Sequence, residues 1–101
     1  MNEILNKIAV CVEYGKLNRK VPYPPFLKDQ DGVEELTQQA LENGILPNDI
    51  LTDGLITGMN NIGVKFKENQ VFVPQVLMSA KAMGIGMGFL KQYFADGSVK
   101  R

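Results

Sequence analysis

Three groups of residues in this chain have types and spacings from which chemistry could be built. Cys11 is a lone thiol, Met59, Met83 and Met87 are soft sulfur donors, and Gly84-Ile85-Gly86-Met87-Gly88 has the glycine density of a phosphate-cradling loop. Each is undercut by its surroundings. Cys11 falls on an apolar stripe with no adjacent base to lower its pKa, which predicts an inert core thiol. The methionines keep helical spacing, and with neither His nor Cys nearby they predict packing rather than metal ligation. The glycine run lacks the G-x-G-x-x-G spacing and follows no strand, so the glycines predict close approach of a neighbouring helix, through Gly84 and Gly88, or of a flat ligand. The chain contains no His at all. That removes the usual general base at neutral pH, the commonest transition-metal ligand and the Ser-His form of nucleophile activation. The expectation is a chain with no catalytic residue and no metal site of its own.

A fourth group is apolar. Phe66 ends one helical pattern, Phe72 and Val73 precede the Pro that opens the next, and Val76 follows one turn later. Four large side chains therefore converge at one end of a helical hairpin. Burying a Phe contributes about 2 to 3 kcal/mol, so bundle physics alone favours core closure over a binding face, and position alone does not decide.

The elements that must position these residues follow from periodicity. Ile4, Leu5, Ile8, Cys11 and Val12 recur at three- and four-residue spacings, which predicts a helix from Asn2 to about Lys16, closed by Gly15. Val21-Pro22-Tyr23-Pro24-Pro25-Phe26 cannot be regular helix and predicts a connector. Asp31 as N-cap and Glu34 as its capping-box partner predict a short second helix ending at Asn43-Gly44, with Val33, Leu36, Ala40 and Leu41 inward and Glu34, Glu35, Gln38 and Gln39 toward solvent. Pro47 opens a third helix to about Lys67, with Ile50, Leu51, Leu55, Met59, Ile62 and Phe66 inward. Pro74 opens the last, to about Phe94, with Val76, Leu77, Ala80, Met83, Gly84, Met87 and Leu90 inward. No segment alternates with a period of two. The predicted fold is an all-α four-helix bundle.

A length of 101 residues with 45% hydrophobic and 22% charged residues has room for one domain around one modest core. Eleven Lys plus Arg balance eleven Asp plus Glu, so no basic field exists to hold a nucleic-acid backbone. The charge is unevenly spread: residues 29–53 hold seven acids and no base, whereas residues 65–101 hold six bases against Glu68 and Asp96. Solvated helix faces account for this, with a docking surface for a charged partner as the alternative. One Cys cannot form an internal disulfide, and no apolar run approaches the roughly 18 residues of a membrane span, so a cytoplasmic chain without a membrane segment is expected.

The run Asp53-Gly54-Leu55-Ile56-Thr57-Gly58-Met59-Asn60-Asn61-Ile62-Gly63-Val64-Lys65-Phe66, followed by Val71-Phe72-Val73-Pro74-Gln75-Val76-Leu77-Met78-Ser79-Ala80-Lys81-Ala82-Met83, resembles the helical cap module of corrinoid methyl-carrier proteins and of cobalamin-dependent methionine synthase. The shared pattern is G-L-x-x-G-M-x-x-V-G-x-x-F, a polar turn, then F-[LV]-P-x-[VL]-[LM]-x-[SA]-A-x-[AV]-M, with Ile62 standing where the family has Val. With Asp31 to Gly44 included, the resemblance covers roughly residues 31–95, and residues 1–28 match loosely.

The resemblance implies a helical cap over residues 1–95 that covers the upper face of methylcobalamin in a methyltransferase system, with Phe66, Val73 and Val76 as the cofactor-facing residues. Proteins of this family hold the cofactor mainly through a following α/β domain whose D-x-H-x-x-G motif places a His below cobalt. This chain has neither motif nor His, so cobalamin is expected only together with such a corrinoid-binding domain, and a methyltransferase is the expected partner. Residues 96–101 resemble the start of the linker toward that domain, which predicts a fragment cut at the linker or an isolated cap. The alternative is a free-standing helical interaction module without cofactor, using the same end of the hairpin to bind a protein. A homodimer closed through Phe66 and Phe72 is compatible with either.

Overall fold

Leu5, Ile8, Cys11 and Val12 form one buried stripe along helix α1, Glu3–Tyr14, as their spacing predicts. The computed structural model describes residues 3–95; the linker expected at 96–101 lies outside the described residues. The chain leaves α1 at Gly15, whose φ of 74° favours glycine and whose added Cβ would stand 2.8 Å from the Cβ of Met78. Helix α2 spans Val33–Glu42. Helix α3 covers residues 47–67 and consists of an opening turn Pro47–Asp49, a π-helical stretch Ile50–Ile56 and an α-helical stretch Thr57–Lys67. Helix α4 is Val73–Ala95. Together they make an all-α four-helix bundle, with no strand among the described residues.

The connector between α1 and α2 is a strap fixed by polar contacts. Asn18 Oδ1 accepts from the N–H groups of Lys20 and Val21 at 3.0 and 3.1 Å, and a short 3-10 turn follows at Pro25–Leu27. The carbonyls of Lys16 and Leu17 accept from the N–H groups of Val33 and Glu34 at 3.0 and 3.1 Å, satisfying donors that the start of a helix leaves free. Lys16 is fully buried and donates to the carbonyl of Val21.

This strap corrects two expectations for α2. The N-cap is Gly32 rather than Asp31, and Glu35 rather than Glu34 reaches back, accepting from the Gly32 N–H at 2.9 Å. Gly32 is required because a Cβ there would lie 2.5 Å from the backbone nitrogen of Asn18. Glu34, Glu35 and Gln39 are half-buried rather than solvated. Glu34 accepts from Asn18 Nδ2 at 3.2 Å, Glu35 from the Arg19 N–H at 3.1 Å, and Asp31 from the Arg19 guanidinium at 2.6 Å and Gln39 Nε2 at 3.0 Å. Part of the acidic run is therefore structural. The bonds to Gln39 and then Arg19 hold the Asp31 carboxyl below its ordinary value.

The helices pack through small residues. A Cβ on Gly54 would meet Ile8 Cγ2 at 2.9 Å, and one on Gly58 would stand 2.6 Å from the carbonyl oxygen of Ala9, so α1 lies directly on the first half of α3. On α4 the buried positions are Ser79, Ala82, Gly86 and Leu90. Gly86 makes the close approach, since a Cβ there would meet Leu55 Cδ2 at 2.6 Å and Val33 Cγ1 at 3.1 Å.

The expected inward stripe of α4 is thus partly wrong. Leu77, Ala80, Gly84 and Gly88 are exposed, and Gly84 and Gly88 have no neighbour within 4 Å of an added Cβ. The cause is that α4 is apolar on nearly every side, so its pattern has no strong phase. The same property corrects the expectation of no membrane-length segment: an 18-residue window within Val73–Phe94 has a mean hydropathy of 1.2, once Lys81 and the small polar residues are averaged in. In the fold this helix is a wall of the bundle in contact with α1, α2 and α3.

Candidate functional site

The turn between α3 and α4 is shaped by backbone hydrogen bonds that end one helix and start the next. The Glu68 N–H donates to Val64 O at 3.0 Å and the Gln70 N–H to Lys65 O at 2.8 Å, with Asn69 in the left-handed region at φ 65°. Gln75 then closes the start of α4, its Oε1 accepting from the Phe72 N–H at 2.7 Å. This is the reciprocal half of a capping box, supplied by Gln in the third helical position. Pro74 sits where a missing N–H has no consequence.

The side chains carried by this turn face outward. Phe66 is 45% exposed, Phe72 74%, Val73 55% and Leu77 63%. Val76 is half-buried beside them in sequence. By contrast, Leu55 and Ile62, earlier on the stripe that leads to Phe66, are 0% and 3% exposed. The stripe of α3 therefore runs out of the bundle at its last turn. Core closure, which bundle physics alone favours for this group, is not what Phe66, Phe72 and Val73 do.

One polar cluster adjoins the turn. Lys65 pairs with Glu13 and donates to Tyr14 Oη at 2.9 Å, with its ammonium 4.1 Å from the Tyr14 ring centroid. Tyr14 in turn meets Phe26 edge-on, with ring centroids 5.0 Å apart. Burial works to lower the Lys65 pKa, but the hydrogen bonds to Glu13 and Tyr14 outweigh it and hold the ammonium above the ordinary lysine value.

The donor set fits an apolar cover rather than a metal ligand. Among the described residues no three His, Cys, Asp or Glu side chains gather as a metal site. Cys11 is buried, donates to Asp31 O at 3.5 Å, and has its thiol pushed up to about 11 by desolvation, against the lowering pull of the Lys16 charge. Met59, Met83 and Met87 are partly buried against the core. What the turn end offers is a set of aromatic and branched side chains on a braced backbone. Such a surface can exclude water from a group it covers without offering a side chain that ligates a metal.

Sequence reasoning places Phe66, Val73 and Val76 here, and the fold carries all three on the same turn and flanking helix ends. It omits Phe72 from the site and turns Leu77 inward, although Phe72 is the most exposed of the large apolar side chains. The spacing of Val73 and Leu77, four residues apart on one helix face, is the signal that pairs them.

A helical bundle with an exposed apolar end and a braced turn defines a binding module. The chain belongs to the B12 binding domain family, which it matches over residues 28–91. It is 52% identical over 59 residues to monomethylamine corrinoid protein 2 of Methanosarcina acetivorans, a match covering 58% of this chain and 27% of that protein. It is 37% identical over 67 residues to a corrinoid protein of Desulfitobacterium hafniense, covering 66% of this chain and 31% of that one. Among solved structures it superposes on the Methanosarcina barkeri monomethylamine corrinoid protein with a TM-score of 0.70 and 32% identity, over 87% of this chain and 35% of that chain. The chain thus spans about a third or less of the length of these relatives.

Proposed function

We propose that this chain is the helical cap of a corrinoid methyl-transfer protein, covering the upper face of a methylcorrinoid held by an α/β domain, and that a methyltransferase is the partner of the assembly. The observation that carries the reading is the outward placement of Phe66, Phe72 and Val73 at a braced turn. Phe66, Val73 and Val76 are the residues assigned to face the cofactor. When bound, the corrinoid supplies a cobalt-methyl bond whose methyl group is passed on. The part of this chain is to exclude water and oxidants from that bond with side chains that cannot coordinate cobalt. The relatives' names carry a methylamine, and a methylamine is the methyl donor proposed here. The reading places the chain in the cytoplasm, where a lone buried thiol such as Cys11 stays unpaired.

The test is a pair of titrations with methylcobalamin, one of the complete polypeptide carrying this chain and one of the 101-residue chain alone. The complete polypeptide is expected to retain the cofactor. The chain alone covers one face of a large polar macrocycle and offers no His, so its dissociation constant should be about millimolar or weaker, roughly 4 kcal/mol or less. Tight binding by the chain alone, with a spectral sign of nitrogen ligation to cobalt, would contradict the cap reading. A complete polypeptide that fails to bind any corrinoid would favour the protein-interaction module instead.

A further inference from the structure

The outward end of the bundle is an overhang. The last buried residue of α3 before the turn is Ile62 and the first buried residue of α4 after it is Ser79; between them every residue is half-buried or exposed. The final turn of α3 and the first turn and a half of α4 therefore project past the core, carrying Phe66, Phe72, Val73 and Val76. Side chains that must present a defined surface from such an overhang need an anchor outside the core.

Glu13, one residue from the end of α1, supplies it to both helices. Its carboxylate pairs with Lys65, which immediately precedes Phe66. Its backbone carbonyl accepts from Ser79 Oγ at 2.9 Å, one turn beyond Val76. Tyr14 adds its hydroxyl to the Lys65 ammonium at 2.9 Å, and Met78 closes against Gly15, where no Cβ fits. Ser79 is fully buried, so its hydroxyl must find an acceptor, and the Glu13 carbonyl is the acceptor it finds. A single residue of α1 thus ties together two helices that are otherwise joined at this end by an exposed turn.

We propose that Glu13, acting through Lys65 and Ser79, is a positioning clamp that fixes Phe66 relative to Val73 and so sets the shape of the corrin-covering surface from α1. The proposal rests on the cap reading given above. Glu13 does not touch the covered group. It acts by denying the overhang the freedom to splay. A partly exposed ion pair and one buried hydrogen bond are weak compared with the core, which suits a device that shapes one end without governing the stability of the whole.

The experiment uses Lys65→Met, which keeps the stem and removes the charge, Ser79→Ala, and the exchange Glu13→Lys with Lys65→Glu. In the 101-residue chain, amide hydrogen exchange at Glu68, Gln70 and Val76 should quicken by about two- to fivefold in Lys65→Met, the range a partly exposed ion pair supplies, while Leu55 and Leu90 stay protected. The charge exchange should restore wild-type protection. In the complete polypeptide loaded with methylcobalamin, photolysis should quicken in Lys65→Met and Ser79→Ala and recover in the charge exchange. Unchanged exchange at the turn in both Lys65→Met and Ser79→Ala would overturn the clamp. So would faster photolysis in Phe66→Ala with none in Lys65→Met, and that result leaves the cap reading standing. Photolysis unmoved even by Phe66→Ala would overturn the cap reading and the clamp's role with it.

Discussion

The middle of the α3–α4 hairpin and its turn end are built from similar residues with opposite fates. In the middle, Leu55, Ala82 and Leu90 are fully buried, and Gly86 lets α4 come close enough to touch Leu55 and Val33. At the turn end, Phe66, Phe72, Val73 and Leu77 are between 45% and 74% exposed. Apolar composition therefore does not distinguish core from surface here. The presence of a facing helix does. α1 ends at Tyr14, and between Ile62 and Ser79 no residue of the hairpin is buried, so its last apolar side chains are only partly covered by this bundle. They remain available to a partner.

Substitutions that separate the two regions break or sharpen this contrast. The largest effect is expected for Leu55→Ala, which should cost about 2 to 5 kcal/mol, whereas Phe66→Ala should cost only about 1 to 2 kcal/mol because nearly half of its surface is already solvated. Thermal melts of both variants decide it, and equal losses would mean that Phe66 belongs to the core. Next come the glycines. Gly58→Ala drives a methyl into the Ala9 carbonyl and Val12 and should cost about 1 to 3 kcal/mol, while Gly88→Ala, with open space around it, should stabilise by about 0.5 to 1 kcal/mol through helix propensity. Denaturant midpoints that place these two in the reverse order would contradict the packing described for α3 and α4.

Much of this was legible in the sequence, and the failures have identifiable causes. α1, α2 and α3 are amphipathic, so three- and four-residue spacing locates their inward faces. α4 is apolar all round, so spacing cannot choose between Val76-Met83-Leu90 and Leu77-Ala80-Gly84; the buried small residues Ser79, Ala82 and Gly86, with Gly86 against Leu55 and Val33, mark the true contact face. Phe66 follows Ile62 by four residues on one stripe, and no periodicity says that the bundle ends between them. The motif places Phe66, Val73 and Val76 together, but their exposure depends on where α1 stops. The N-cap of α2 shifts by one residue because the strap passes over Gly32, a tertiary contact that no local pattern contains.

Smaller effects test the polar half of the molecule. Thr37 is fully buried and its Oγ1 has no hydrogen-bond partner among the described residues, so Thr37→Val should stabilise by about 1 kcal/mol; a loss of stability would reveal a partner for the hydroxyl. Asp31 has a lowered pKa, so its contribution is present above its ordinary value of 3.8 and is lost as pH falls through the lowered one. Acid unfolding monitored by circular dichroism should therefore move to higher pH in Asp31→Asn, by a small amount because the pair with Arg19 is exposed to solvent. Cys11, at about 11, should resist iodoacetamide at pH 8 in the native chain, where only about one thiol in a thousand is ionised.

The central claim is that an apolar overhang, dispensable for folding, shields a cobalt-methyl bond. The direct measurement is the photolysis rate of methylcobalamin bound to the complete polypeptide, taken for the wild type, Phe66→Ala and Val73→Ala, alongside the melting temperature of each. The account predicts several-fold faster loss of the methyl group in both variants, with melting within a few degrees of wild type. Photolysis at the wild-type rate in both variants, or melting lowered in Phe66→Ala as far as in Leu55→Ala, would contradict it.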